Sequence, residues 1–263
     1  MKSKNVTLAV FTGTGNTLLM AGVLADELKH AQLEVGIVSM DRPHGFKLPE
    51  DSALGLAVPL ACFSTYPTAW RFIDSLPEGN GREAFFLATM GGMSGGMEGP
   101  IRRVVEGKGY KPIGAAIVKM PSNYANKTIP VEENRARIER AETQVKKFAA
   151  LLRTGETNWG ADGLASRFLA RLAHGQKPWR MFHSLFPIAV DSDKCTGCGV
   201  CGELCPEKNI LVSAGTAIIG KSCQSCQRCV GFCPARAISV PGKPAEQYRA
   251  MPLDRFKAMQ GIE

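Results

Sequence analysis

Apolar and polar positions follow two rhythms over residues 1–154. Val6-Thr7-Leu8-Ala9-Val10-Phe11 is a short, nearly continuous apolar run that ends at Gly13. A run of that length, closed by a turn residue, predicts a buried strand. From Asn16 to His30 the period changes: Leu18, Ala21, Leu24, Ala25 and Leu28 recur at helical spacing. Further strands are predicted at Leu33–Met40, Ala53–Leu60, Glu83–Met90 and Ile113–Met120, with helices at Thr68–Leu76 and Met97–Gly107. The clearest helix is Glu132–Arg153, striped by Ile138, Ala141, Val145, Phe148, Ala149 and Leu152. Glu132 and Glu133 open it and Lys146, Lys147 and Arg153 close it, which complements the helix dipole. Strands alternating with helices predict a doubly wound parallel sheet of five strands. Such sheets bind ligands beyond the carboxyl ends of their strands, at the point where strand order reverses.

The rhythm then breaks. Residues 155–190 form an amphipathic linker, with Leu164, Phe168, Leu169, Leu172, Trp179, Phe182, Leu185 and Phe186 among Arg167, Arg171, Lys177 and Arg180. We expect it to clamp the two flanking modules together, with His174 and His183 as ordinary interface residues. Residues 191–241 are a second, cysteine-rich domain. The tail, 242–263, carries Tyr248, Met251, Leu253, Phe256 and Met259 and is expected to pack back onto a domain.

Of nine cysteines, eight fall into two copies of one pattern. Cys195, Cys198, Cys201 and Cys205 precede Pro206; Cys223, Cys226, Cys229 and Cys233 precede Pro234. Each copy reads C-x2-C-x2-C-x3-C-P, the spacing that holds a pair of [4Fe–4S] clusters. Three closely spaced thiolates wrap one corner of a cubane, and the fourth, after the chain has turned, ligates the other cluster. Cluster I is therefore assigned Cys195, Cys198, Cys201 and Cys233, and cluster II Cys223, Cys226, Cys229 and Cys205. Zinc also uses C-x2-C pairs, but it takes four ligands per ion and has no use for three equal gaps. Cys62 stands alone and is expected as a small buried residue.

The formal charge of +8 belongs to the chain without its cofactors. Two clusters with their thiolates contribute about −4, and a bound monophosphate would contribute about −2, which leaves roughly +2. The basic surplus thus gives no reason to expect nucleic acid, though it would suit an acidic redox partner. The opening apolar run is too short for a signal peptide, and no stretch reaches membrane-spanning length without charges. A cytoplasmic protein is expected.

Between the first strand and helix lies Thr12-Gly13-Thr14-Gly15-Asn16-Thr17, where a phosphate would meet a helix N-terminus. It has no lysine, so it is not a P-loop, and Leu18 stands where a dinucleotide fingerprint needs its third glycine. Asp41, past the second strand, is expected as a turn aspartate, with ribose contact as the alternative. A hydroxyl-rich loop suits a terminal monophosphate, as in FMN. This T-G-T-G-N-T segment resembles the FMN phosphate loop of flavodoxins. Joined to a C-terminal two-cluster ferredoxin, the chain resembles the flavodoxin–ferredoxin fusion family over roughly residues 5–241. The resemblance implies a flavodoxin-like sheet followed by a small α+β two-cluster ferredoxin domain. It also implies two further flavin loops. One is Pro59–Pro67, with Pro59, Ala61, Cys62, Phe63 and Tyr66, where Phe63 and Tyr66 could stack on the ring. The other is Thr89–Gly96, with Thr89, Met90, Gly91, Gly92, Ser94 and Gly95. The first of these has no glycine, unlike flavodoxins, where glycine eases a peptide flip. Pro121-Ser122-Asn123-Tyr124 also resembles a family segment.

The expected function is electron transfer, relaying low-potential electrons between FMN and two [4Fe–4S] clusters and a redox partner protein. An acidic ferredoxin, or a reductase or dehydrogenase, is the expected partner, and a second copy of the chain is a further one. The alternative is a flavin-dependent reductase acting on a specific substrate or a partner's cofactor, such as a corrinoid. A redox sensor would leave the phosphate loop unexplained.

Overall fold

The computed structural model describes residues 1–42, 46–92, 96–124, 128–156, 158–160, 163, 168, 176–243 and 248–262. Five strands, β1 (Asn5–Val10), β2 (Glu34–Ser39), β3 (Ser52–Leu60), β4 (Glu83–Met90) and β5 (Lys111–Lys119), pair in parallel in the order β2-β1-β3-β4-β5. This is the flavodoxin-like order, and it reverses between β1 and β3. The fold class expected from the alternating rhythm is the one observed.

The sheet is covered on both faces, which is why its strands read as apolar runs. Side chains alternate along β1: Val6, Leu8 and Val10 meet α1 (Asn16–His30) and α4 (Val131–Thr154) through Leu18, Leu24, Leu28, Val145 and Phe148. Ala9 and Phe11 face the other way, toward α2 (Pro67–Asp74) and α3 (Glu98–Gly107), with Trp70, Phe72, Ile101 and Val105. Element ends fall within a few residues of the expected ones. Helix α4 starts at Val131 and stops at Thr154, where Gly155 takes φ +79°, the usual left-handed helix stop.

The cysteine-rich domain has little secondary structure. Strand β6 (Ala189–Val190) pairs antiparallel with β9 (Ile238–Ser239), and β7 (Ile210–Ser213) forms a hairpin with β8 (Thr216–Ile219). Two single-turn helices, α6 (Val200–Leu204) and α7 (Arg228–Phe232), occupy equivalent places in the two halves. The core of this domain is Ile188, Ile210, Ala217, Val230, Ile238 and Val240 packed with cysteines. So small an apolar core needs covalent or metal staples to hold one structure.

The linker's helix α5 (Gln176–Leu185) follows α4 in the described chain and carries Trp179, which is 2% exposed. Trp179 stacks on Tyr66 of the sheet domain, with ring centroids 4.5 Å apart. This part of the linker thus packs on the sheet domain, which is one side of the expected clamp; His174 lies outside the described residues. The tail forms α8 (Leu253–Gln260), whose buried Phe256 meets Phe232 of α7 at 4.4 Å. Ser39 of β2 donates to Gln260 Oε1 at 2.9 Å. The tail therefore touches both domains. Among the described residues no helix is long and apolar enough to cross a membrane.

Candidate functional site

A cavity of about 240 Å³ opens beyond the carboxyl ends of β1, β3 and β4, at the reversal of strand order. Its floor is the loop after β1: Thr12, Gly13, Thr14, Asn16 and Thr17 line it. Thr12 and Thr14 are essentially fully buried, and neither hydroxyl has a partner among the described residues. Buried hydroxyls are normally satisfied, so two facing one cavity mark a place for a polar ligand. Gly15 caps α1 at φ +100° with no side-chain bond to the first turn, which leaves that helix's leading N–H groups available. Hydroxyls, free amides and a 15-residue helix dipole suit an anionic phosphate. Thr17 has a second duty, bonding Thr89 at 2.8 Å between their hydroxyls and joining two of the expected loops. Asn16 donates from Nδ2 to the Pro121 carbonyl at 2.8 Å, which brings in the Pro121–Tyr124 segment.

The walls come from the other expected loops. Pro59, Ala61, Cys62 and Tyr66 contribute from one, Thr89, Met90 and Gly91 from another, and Pro121, Ser122, Asn123 and Tyr124 from the segment after β5. Gly92 is exposed and does not line the cavity; Ser94 and Gly95 lie outside the described residues. Two expectations need correcting. Phe63 does not line the cavity but points to solvent, 46% exposed. Cys62 is exposed at the cavity edge rather than buried. The reason is a tight turn: Ala61 and Ser64 exchange both backbone bonds at 2.9 Å, with Cys62 and Phe63 at φ +52° and +58°. Two left-handed central residues make a type I′ geometry that usually calls for Asn and Gly. No such signal stands in this sequence, so the turn was not legible there. The aromatic wall comes instead from Tyr66, Tyr124, Trp179 and Phe182. Trp179 Nε1 is buried without a partner among the described residues, and burial pushes the Tyr66 phenol far above its ordinary range, so it stays neutral.

The eight motif cysteines gather around two cavities. One is lined by Cys195, Cys198, Cys201 and Cys233, the other by Cys205, Cys223, Cys226 and Cys229. The fourth cysteine of each motif thus stands with the other motif, as assigned from the spacing. Among the described residues no three His, Cys, Asp or Glu side chains converge tightly enough for a single ion. The thiols surround a space instead, as ligands of a multi-iron cluster do. Backbone N–H groups of Asn209, Ser225 and Ala237 donate to the sulfurs of Cys205, Cys223 and Cys233, each at 3.3 Å. Such bonds help set cluster potentials. Burial holds the free Cys226 thiol up to about 12, so iron ligation has to displace its proton.

The two sites share a wall that the sequence reading did not foresee. Ser225 and Gln227 line the first cavity from the ferredoxin side, and Gln227 also lines the second cluster cavity. Gly13 is glycine because of this approach: a Cβ there would stand 2.4 Å from the Cys226 carbonyl oxygen. Beside it Arg228, fully buried, donates to Asp41 at 2.7 and 3.0 Å, to the Thr12 carbonyl at 3.0 Å and to the Leu204 carbonyl at 3.0 Å. Its guanidinium lies 5.3 Å from the Phe11 ring centre and 5.4 Å from that of Phe256. Burial alone would push the Asp41 carboxyl up, but the Arg228 charge and its hydrogen bonds outweigh this and hold it below the usual carboxylate range. Asp41 does sit in the turn after β2, closed by Arg42 N–H donating to the Ser39 carbonyl at 3.3 Å, but its carboxylate is half of an ion pair between domains rather than a ribose ligand. A second seam joins Gln224 Nε2 to Thr68 Oγ1 at 2.9 Å, with Thr68 and Arg71 both donating to Glu207 Oε1 at 2.6 Å. An arginine and a glutamine at the variable positions of a cluster motif were the available signal.

These features define a class: an iron–sulfur electron-transfer protein built on a flavodoxin-like fold. The model of the 4Fe-4S binding domain family matches residues 188–210. An uncharacterized ferredoxin of Methanocaldococcus jannaschii is 34% identical over 58 residues, which covers 20% of this chain and 75% of that protein. A ferredoxin-like protein in the vnf region of Azotobacter chroococcum is 38% identical over 53 residues, covering 18% of this chain and 82% of that one. The chain belongs to the ferredoxin family through this segment, with a flavodoxin-like domain ahead of it. Similar solved structures include a flavodoxin from the domain Archaea, at 13% identity and a TM-score of 0.37. It matches 57% of this chain and 98% of its own. Two-electron reduced Megasphaera elsdenii flavodoxin stands at 21% identity and a TM-score of 0.38, over 54% of this chain and 98% of that one.

Proposed function

We propose that the chain is a short electron wire running from FMN through cluster II to cluster I and on to a partner protein. The observation that carries this reading is the shared wall. The Cys226 carbonyl rests against Gly13 of the phosphate loop, and Gln227 borders both the flavin cavity and the cluster II cavity. Cluster II is thus the flavin's neighbour, while cluster I is the outer centre, with Cys198 exposed where its counterpart Cys226 is buried. The exposed end is where a partner protein, such as another ferredoxin or a reductase, would exchange electrons.

FMN fits the residues present. Thr12, Thr14, Asn16 and the start of α1 would hold its phosphate, and Thr89, Met90, Gly91, Ala61, Tyr66 and Trp179 would enclose its ring system. When bound it exchanges one or two electrons, whereas each cluster exchanges one. The protein's part is to hold the flavin in a site closed by α5 and the cluster II motif, close enough to the cluster for tunnelling. The described lining holds no Asp, Glu, His, Lys or Arg. Its titratable groups are Cys62, Tyr66 and Tyr124, each shifted up by burial, so the described lining offers neither a carboxylate nor an imidazole to relay protons to a substrate, which supports the wire.

The test is flavin and iron per chain on protein purified and reconstituted without oxygen. One FMN and about eight irons are expected. About four irons would remove one cluster. Full iron with no FMN uptake on titration would remove the wire.

A further inference from the structure

The two cluster motifs are internal copies, and they differ where one of them faces the flavin cavity. Cys195-Thr196-Gly197-Cys198-Gly199-Val200-Cys201 corresponds to Cys223-Gln224-Ser225-Cys226-Gln227-Arg228-Cys229. The backbone turns left-handed at the same two places in each. Gly197 and Gly199 have φ +65° and +78°; Ser225 and Gln227 have +56° and +66°. Glycine adopts this conformation freely, but a residue with a Cβ is strained in it. The first copy therefore takes the unstrained solution, and the second keeps two side chains against a penalty.

What do those side chains do? The other two variable positions of the second copy are accounted for. Gln224 bonds Thr68, and Arg228 bonds Asp41 and Thr12. Ser225 and Gln227 are only 4% and 2% exposed, and Ser225 Oγ and Gln227 Oε1 have no partner among the described residues. The one bond of the Gln227 side chain runs from Nε2 to the Ser225 carbonyl, at 3.3 Å. Both residues line the cavity floored by Thr12 and Thr14. Strain and unmet polar atoms coincide at two positions that face one ligand site. Each is an expense the first copy shows the fold can avoid, and strain of this kind persists where function uses it.

We propose that Ser225 and Gln227 are flavin ligands, so that the cluster II motif is at once an iron-binding and a flavin-binding loop. This rests on the reading of the cavity as the FMN site. Residues of the ferredoxin domain then complete the pocket of the flavodoxin-like domain. Flavin and cluster II occupancy become linked, because iron that orders the loop also orders two flavin contacts, and linkage is reciprocal.

The experiment is FMN titration of iron-loaded protein, followed by quenching of flavin fluorescence, with iron content measured on the same samples. The variant is Ser225→Gly with Gln227→Gly, which copies the first motif and relaxes the backbone. The proposal expects wild-type iron content and an FMN Kd raised about tenfold or more, the loss of two modest hydrogen bonds. An FMN Kd within about twofold of wild type at full iron overturns it. Where the glycines lower the iron content, Ser225→Ala, which deletes one oxygen, is read instead. About a threefold rise in Kd is then expected, and an unchanged Kd overturns the proposal. Wild-type protein that takes up no FMN overturns the FMN site itself, a result distinct from equal binding by wild type and variant.

Discussion

At the scale of single residues, the joint between the domains turns on Arg228. A guanidinium removed from water is tolerable only with its charge matched and its donors paired. Asp41 and two carbonyls take four of the five N–H groups, and two aromatic rings lie beside the cation. Asp41→Asn would leave the charge buried and unmatched, and urea unfolding should show a loss of about 3–5 kcal/mol. The pH dependence follows from the carboxyl's depressed position. A group whose folded pKa lies below its unfolded value stabilises fully above the unfolded value, here 3.8. That stability is lost as pH falls through the folded value. The gap in stability between wild type and Asp41→Asn should therefore be constant near neutrality and shrink below about pH 4. Taking the difference removes any acid sensitivity the iron sites share. A gap that stays constant into acid would show that the pair does not titrate as described.

At the scale of elements, two glycines set how closely the loop after β1 meets the cluster II motif. A Cβ at Gly13 would stand 2.4 Å from a backbone oxygen, which cannot step aside. One at Gly231 would meet the Thr14 methyl at 2.8 Å, the end of a side chain. Gly13→Ala should therefore cost about 1–3 kcal/mol by overpacking. At Gly231, inside α7, helix propensity returns up to about 1 kcal/mol, so Gly231→Ala should be much milder. Urea unfolding followed by cluster absorbance would rank them; the reverse order would mean the two segments do not touch as seen. The elements themselves were largely legible. Apolar runs gave the strands because both sheet faces are covered, and period-3.6 stripes gave α1 and α4. The type I′ turn at Cys62 and Phe63 was not, since its residues carry none of the usual turn chemistry. Nor was the role of Asp41, whose partner lies 187 residues away. Pairing at such separation leaves no local pattern.

At the scale of the molecule, the cysteine spacing announced which thiols would stand together, and the loop after β1 announced an anion site. What no local pattern could give is their order in space. That order is set by contacts between distant segments: Gly13 on Cys226, Gln224 on Thr68, Trp179 on Tyr66 and Phe256 on Phe232. Together they place the second motif, not the first, against the cavity floored by Thr12 and Thr14. The account's central claim is that flavin and clusters form one conducting unit with cluster II in the middle. The most direct measurement is to reduce the flavin by a light flash without oxygen and follow cluster absorbance, at several protein concentrations. The account predicts first-order cluster reduction at a rate independent of concentration. A rate proportional to concentration would mean electrons pass only between molecules, and the wire would be contradicted.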